Sequence, residues 1–241
     1  MRIHALHHLY DQRLAQSTRP FRARGCKIVR CKHCMLTPDL CVCAFQTTVP
    51  VNPAFLMVMY DDEILKPSNT AKLIADVVEE TYAWIWSRTE PNPEMVALVN
   101  DPKWQPFVVF PSEYAEPERV RESVEVEAGK RPLFILLDGT WSQAKKMFRK
   151  SEWLHAFPVL SINPDHLSRY GVRTAAKEHH LATAEVAAEV LAVAGEMHAA
   201  EVLACWFDVF SQHYLHGRNQ KPMPEPTALS KFLSLTTPQA A

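Results

Sequence analysis

Glycine is scarce in this chain, with six residues among 241, at positions 25, 129, 139, 171, 195 and 217. They form neither G-x-G-x-x-G nor G-x-x-x-x-G-K-S/T, which argues against a dinucleotide-binding turn and a phosphate-cradling P-loop. G-x-S-x-G and H-E-x-x-H are also missing, so neither a serine hydrolase elbow nor a zinc protease helix is expected. No stretch approaches the roughly 20 apolar residues that span a bilayer. The N-terminus has no apolar run behind its charges, so a secretory signal is not expected. Charge of one sign is lacking too: 26 Lys and Arg face 27 Asp and Glu, a net charge of −1. The whole molecule therefore has no field that would advertise a nucleic-acid partner.

Hydrophobic residues make up 47% of the chain, which excludes global disorder and suits one α/β domain with an appendage. The charge is unevenly spread. Arg2, Arg13, Arg19, Arg22, Arg24, Lys27, Arg30 and Lys32 face a single acid, Asp11. Such an arm binds phosphates or is simply a solvated N-terminus. The expected compartment is the cytoplasm, where clustered cysteines more often bind metal than form disulfides.

Residues 1–30 read as an irregular basic arm and 31–43 as a Cys-rich knuckle. Strands are predicted at AFLMVM (54–59), AWIW (83–86), FVVF (107–110), LFILLD (133–138) and FPVLSI (157–162). Helices are predicted at 68–80, at 140–148 with Thr140 and Gln143 spaced as a capping box, and near 183–196 and 199–216. From Lys221 onward, Pro222, Pro224 and Pro226 predict a tail that starts loose. Strands alternating with helices predict a mostly parallel sheet covered on both faces. The division expected is a basic arm with a Cys-rich module over 1–48, an α/β domain over 49–221 and a Pro-rich tail over 222–241.

Cys31, Cys34, Cys41 and Cys43 lie within 13 residues. Four thiolates this close satisfy tetrahedral Zn²⁺, and so short a segment has no core of its own. A disulfide pair, inert buried thiols and an iron–sulfur site are the competing readings. With four cysteines as ligands no coordination position stays open, so a zinc ion here is structural. Cys26 is a fifth thiol outside the tight spacing, and Cys205 sits on an apolar helical face.

Ligands of open α/β sheets bind beyond the carboxyl ends of strands. Two ends are chemically unusual. One strand runs into Pro111, Ser112 and Glu113. The other ends on Asp138, followed by Gly139 in the turn and Thr140 and Trp141 at a helix mouth. A carboxylate placed there is a candidate base, or a residue that caps the next helix.

These residues carry a family resemblance. Asp138-Gly139-Thr140-Trp141 resembles the motif of the DTW-domain proteins. The same order of segments continues through the cysteine cluster, EILKPSNTAKLI (63–74), WSRTEP (86–91), VVFPSEYA (108–115), DGTWSQAKKMFRKS (138–151) and LATAEVAAEVL (181–191). The match covers about residues 26 to 221 and is most similar to the bacterial tRNA-uridine aminocarboxypropyltransferases.

The resemblance implies a SPOUT-like fold, a mostly parallel sheet with a C-terminal trefoil knot, beside the small zinc-binding module. It implies S-adenosylmethionine as co-substrate, with its 3-amino-3-carboxypropyl group passed to N3 of a tRNA uridine in the variable loop and 5′-methylthioadenosine released. Three loops would hold the donor, through Phe110, Pro111 and Ser112, through Leu137, Gly139, Thr140 and Trp141, and through Leu181, Thr183 and Glu185. Where family members often have Ser, this chain has Ala182. Asp138 is the expected base or orienting group. Trp141 stacks on a base or the donor, or belongs to the core. Asn69 and Thr70 bind the amino-acid end or the target nucleotide, or cap a helix. Lys145, Lys146, Arg149, Lys150, Arg169, Arg173 and Lys177 meet tRNA phosphates or are surface charges, and His179 and His180 contact RNA or face solvent. A monomer with tRNA as partner, without an obligate protein partner or a membrane, is expected. The alternatives are a SPOUT-type RNA methyltransferase and a non-catalytic zinc-containing RNA-binding protein.

Overall fold

A computed structural model describes residues 1–18, 27–162, 182–219, 222–223 and 225–237. The strands in chain order are β1 Ala54–Met59, β2 Thr81–Ile85, β3 Trp104–Val109, β4 Val120–Arg121, β5 Arg131–Asp138 and β6 Val159–Leu160. The helices are α1 Ala5–Ala15, α2 Ala71–Val77, α3 Pro93–Val99, α4 Trp141–Lys150, α5 Thr183–Val193, α6 Met197–Asn219 and α7 Ala228–Thr236. Short 3₁₀ turns join several of them. The six strands form one sheet in the order β2-β1-β5-β3-β6-β4. Every pairing among the described residues is parallel.

The two most apolar runs lie side by side in the middle. β1 is buried at all six positions. It pairs with β5 from Ala54–Leu133 to Met59–Asp138. Alternate side chains enter two separate cores. Phe55, Met57, Met59, Phe134 and Leu136 pack under α1, α2, α5, α6 and α7. Leu56, Val58, Leu133 and Ile135 pack under α3 and α4 through Met95, Val99, Met147 and Phe148. Burial on both faces is why these strands are continuous hydrophobic runs rather than alternating ones. The predicted sheet, covered on both faces, is therefore present. Among the described residues no helix is long and apolar enough to cross a membrane.

Several elements differ from their sequence expectation. The helix expected over 68–80 is α2, Ala71–Val77. It ends where the Val78 N–H bonds the Ile74 carbonyl at 2.7 Å and Val78 turns extended. The strand expected over 157–162 pairs only at Val159 and Leu160. Pro158 has no N–H to give and joins the ladder only through its carbonyl, which accepts from the Val108 N–H at 2.9 Å. The stretch 1–30 is not irregular throughout, because α1 occupies Ala5–Ala15 with Leu6 and Leu9 buried. Beyond the prolines, α7 packs on α6, where Phe232 is fully buried with its ring 4.9 Å from that of Trp206. The resemblance implies a knot in the C-terminal half, and residues 163–181 of that half lie outside the described residues.

Candidate functional site at the end of the central strand

The carboxyl ends of β2, β1, β5 and β3 lie side by side, and Asp138 ends β5. Its side chain is only 3% exposed. Two segments remote in sequence reach it. Asn69 Nδ2 donates to Asp138 Oδ2 at 2.6 Å. Thr183 Oγ1, at the start of α5, donates to Asp138 Oδ1. Asn69 is itself held: its Oδ1 accepts from the Ala71 N–H at 3.0 Å, and its carbonyl accepts from the buried Lys72 Nζ at 2.6 Å. Thr70 Oγ1 accepts from the Ala184 N–H at 3.3 Å, which ties the mouth of α2 to that of α5.

Burial pushes the Asp138 carboxyl up to about 6, against the opposing pull of the hydrogen bonds from Thr183 and Asn69. The group is thus mostly ionised at neutral pH yet more basic than an ordinary aspartate, which suits a proton acceptor. Burial also lowers Lys72 to about 8. Asp138 does not cap α4. Thr140 does, in the predicted capping box, and Gln143 Oε1 accepts its N–H at 2.8 Å. The Asp138 side chain is therefore free of a capping duty. The intervening Gly139 is packed tightly, since a Cβ there would lie 3.1 Å from Gln143 Oε1 and 3.2 Å from Tyr60 Cβ.

Aromatic rings line the neighbouring strand ends on the opposite, α4-side face of the sheet. On the β3 side the Phe110 ring stacks on Trp141 with centroids 5.6 Å apart and on Phe148 at 4.3 Å, and Tyr114 meets Trp141 edge-on at 5.6 Å. Trp141 is 37% exposed, so it presents a face to solvent. Lys145 Nζ lies 5.5 Å from the Trp141 centroid. Lys145 and Lys146 follow one another on α4, and Lys146, Arg149 and Lys150 are exposed. Of the other expected donor-binding residues, Leu137 is half-buried against the α3–α4 core, and Pro111 precedes Ser112, whose N–H donates to Ser161 Oγ at 3.2 Å. Glu185 accepts from the Ala182 N–H at 2.8 Å and so caps α5. Arg169, Arg173, Lys177, His179, His180, Leu181 and Cys26 lie outside the described residues.

The structure thus brings Asn69, Thr70, Asp138, Gly139, Thr140 and Thr183 together, with the Phe110–Trp141 stack alongside. Sequence reasoning missed Tyr60, Trp86, Tyr114 and Lys72. Tyr60 directly follows one predicted strand and Trp86 is the last residue of another, and that position was the available signal. A concavity along Gln105, Arg119, Arg121 and Glu125 contains none of the Asp138 group.

The four cysteines of the knuckle form a second cluster. Their sulfurs all lie within 4.8 Å of one another. Cys31 and Cys43 Sγ are 3.6 Å apart, and Cys34 and Cys41 Sγ 3.7 Å. A ZnS₄ tetrahedron with Zn–S of about 2.3 Å has edges of about 3.8 Å, so these two pairs already stand at the spacing of a zinc site and the cluster suits that ion. A hydrogen bond from Cys43 lowers the Cys34 thiol to about 5, while its bond to Cys34 pushes Cys43 up and burial raises Cys41. One thiolate is already favoured in this nest, as a metal ligand requires. No disulfide is present among the described residues.

Comparison with known proteins agrees with the motif order. A curated relative, tRNA-uridine aminocarboxypropyltransferase 2 of Drosophila melanogaster, is 37% identical over 89 residues, which is 37% of this chain. The chain spans about a third (34%) of that relative's length. No solved structure matches. The family model of the DTW domain covers residues 28–215, a span that includes the knuckle, the buried Asp138 and both segments that bond to it. With most of its length inside that match, the chain belongs to the DTW-domain family.

Proposed function

We propose that this protein is a tRNA-uridine aminocarboxypropyltransferase that uses S-adenosylmethionine as its second substrate. The observation that carries the reading is the buried Asp138 carboxylate, raised to about 6 and held by Asn69 and Thr183 inside the family motif. The name of the Drosophila melanogaster relative supports the substrate class. S-adenosylmethionine supplies a γ-carbon activated by its sulfonium. Uridine N3 keeps its proton at neutral pH and is a poor nucleophile until a base accepts it. Asp138 takes that proton as the N3–Cγ bond forms and the Cγ–S bond breaks, leaving 5′-methylthioadenosine. Asn69 and Thr183 fix the carboxylate, so that little reorganisation remains at the moment of reaction. The loops at Phe110–Ser112, Leu137–Trp141 and Thr183–Glu185 frame the donor site, and the exposed Lys146 and Arg149 meet the tRNA backbone. A SPOUT-type knotted domain is the architecture we assign to this site. The parallel sheet covered on both faces supports it.

The test is mass spectrometry of tRNA incubated with protein and S-adenosylmethionine. An aminocarboxypropyl adduct on uridine, with equimolar 5′-methylthioadenosine, is expected. A methyl gain would replace the proposal with a methyltransferase, and no gain with bound tRNA would leave a non-catalytic RNA-binding protein.

A further inference from the structure

On the β1 and β2 side of the strand end that carries Asp138, packed on the α4 face of the sheet, lies an aromatic pair without an assigned role. Tyr60 follows β1 and Trp86 follows β2. The Tyr60 N–H bonds the Asp138 carbonyl at 2.8 Å, and the Trp86 N–H bonds the Met59 carbonyl at 2.7 Å. Trp86, Tyr60 and Asp138 therefore occupy three consecutive strand ends, at the spacing of about 4.8 Å between neighbouring strands. The two rings stack with centroids 5.7 Å apart and planes 23° apart. Trp86 Nε1 donates to Ser151 Oγ at 2.8 Å, and Ser151 is buried, so the indole is fixed in place. Both rings are only half-buried. The exposed Lys146 sits over them, with Nζ 5.6 Å from the Tyr60 centroid and 5.7 Å from that of Trp86.

The composition matches the cluster across Asp138, where Lys145 lies over Trp141 and Tyr114. Consecutive lysines on one helix thus each cover a separate aromatic platform, and in strand order the end of β5, which carries Asp138, lies between the strands that lead into Tyr60 and Phe110. Alternating ring faces and cations is what an unpaired nucleic-acid strand meets in its protein partners, bases on the rings and phosphates on the cations. A duplex offers no base faces, so the pattern selects single-stranded loop RNA. S-adenosylmethionine brings only one adenine, which one platform satisfies. The exposed Lys146 continues toward Arg149 and Lys150 on the outer face of α4, where a polyanion has room and a small donor has no need of contact.

We infer that Tyr60, Trp86 and Lys146 form a nucleobase-stacking platform that holds a nucleotide adjacent to the target uridine. This rests on the reading of the protein as a tRNA-modifying enzyme. It assigns binding, and leaves proton transfer to Asp138. Loss of one base stack weakens single-strand binding by roughly tenfold, at the low end of the usual range.

The test separates RNA from donor. Affinities for unmodified tRNA and for S-adenosylmethionine are measured on wild type, Tyr60→Leu, Tyr60→Phe and Lys146→Gln, with melting temperatures alongside. Tyr60→Leu is expected to weaken tRNA binding about tenfold while donor affinity stays within about twofold, and Tyr60→Phe to keep both. Lys146→Gln should lower the slope of log affinity against log salt by about one. In wild type, 2-aminopurine placed beside the modified uridine should be quenched on binding, a readout that needs no variant to fold. Unchanged tRNA affinity in Tyr60→Leu with no 2-aminopurine quenching overturns the platform and leaves the enzyme reading standing. Loss of donor affinity instead overturns it in favour of an adenine site. A wild type that neither binds nor modifies tRNA removes the enzyme reading and the platform with it.

Discussion

At the residue scale the question is what a carboxylate gains from being buried at a strand end. Burial raises Asp138 to about 6, so in the native state it holds its proton more tightly than in the unfolded chain. Between roughly pH 4 and 6 the native state binds more protons, and its stability falls as pH rises through that window. At neutral pH the ionised Asp138 thus opposes folding, which is a reason to expect it kept for chemistry. Asp138→Asn is expected to fold with a melting temperature at pH 7.5 no lower than wild type, and to lose transfer by roughly 10²–10⁴-fold in single turnover. Wild-type rate should rise with pH through about 6, as the carboxyl gives up its proton. Asn69→Ala, by removing a donor that favours the ionised form, should move that rise to higher pH. A stable Asn variant of near-normal rate removes Asp138 from proton transfer. Asp138 was legible in the sequence because a strand, a turn glycine and a helix cap follow one another locally. Its partnership with Asn69 and Thr183 was not, since it joins positions 69 and 45 residues away.

At the element scale the sequence was most readable where one local signal dominated. β1 and β5 are unbroken apolar runs, and the start of α4 follows from its capping box, while its end lies two residues beyond the predicted 148. Reading failed where apolar residues were few and hidden among polar ones. α1 has two buried leucines among His7, His8 and Arg13, with His4 at its N-cap, so its helical face was masked. The extent of the last strand was set by Pro158 and by its neighbours β3 and β4, not by its own hydrophobicity. Past the prolines, α7 anchors through Phe232, which only the groove beside Trp206 reveals. If α7 is part of the folded body, Phe232→Ala should lower stability by about 3–5 kcal/mol in denaturant unfolding, the usual result of emptying a buried aromatic site. A change below about 1 kcal/mol, with a single cooperative transition, would show that α7 detaches without consequence.

At the scale of the whole molecule, the knuckle and the site are physically connected although no cysteine approaches Asp138 in sequence. His213 bonds the Leu40 carbonyl at 3.0 Å and so seats the knuckle on α6. The buried Asp76 of α2 accepts from Gln46 just beyond the knuckle at 2.6 Å and from Trp206 of α6 at 2.9 Å, and His4 at the mouth of α1 lies 3.1 Å away. A small cavity shares a wall made of His33 and Met35 from the knuckle with Asn69 and Lys72 from the site. The knuckle therefore supports the segment that holds Asp138. We propose that one zinc ion held by Cys31, Cys34, Cys41 and Cys43 fixes that support, and elemental analysis should return about one equivalent per chain. Chelation under mild denaturing conditions is expected to lower the melting temperature, and hydrogen exchange should quicken over 31–46 before it does in β1 and β5. Activity should fall as Asn69 loosens, although four thiolate ligands leave the metal no open position for chemistry. Re-adding zinc should restore activity and protection together. Full activity in protein shown to be free of metal, with unchanged exchange at Asn69, would uncouple the knuckle from the site and leave it to the RNA or to folding alone.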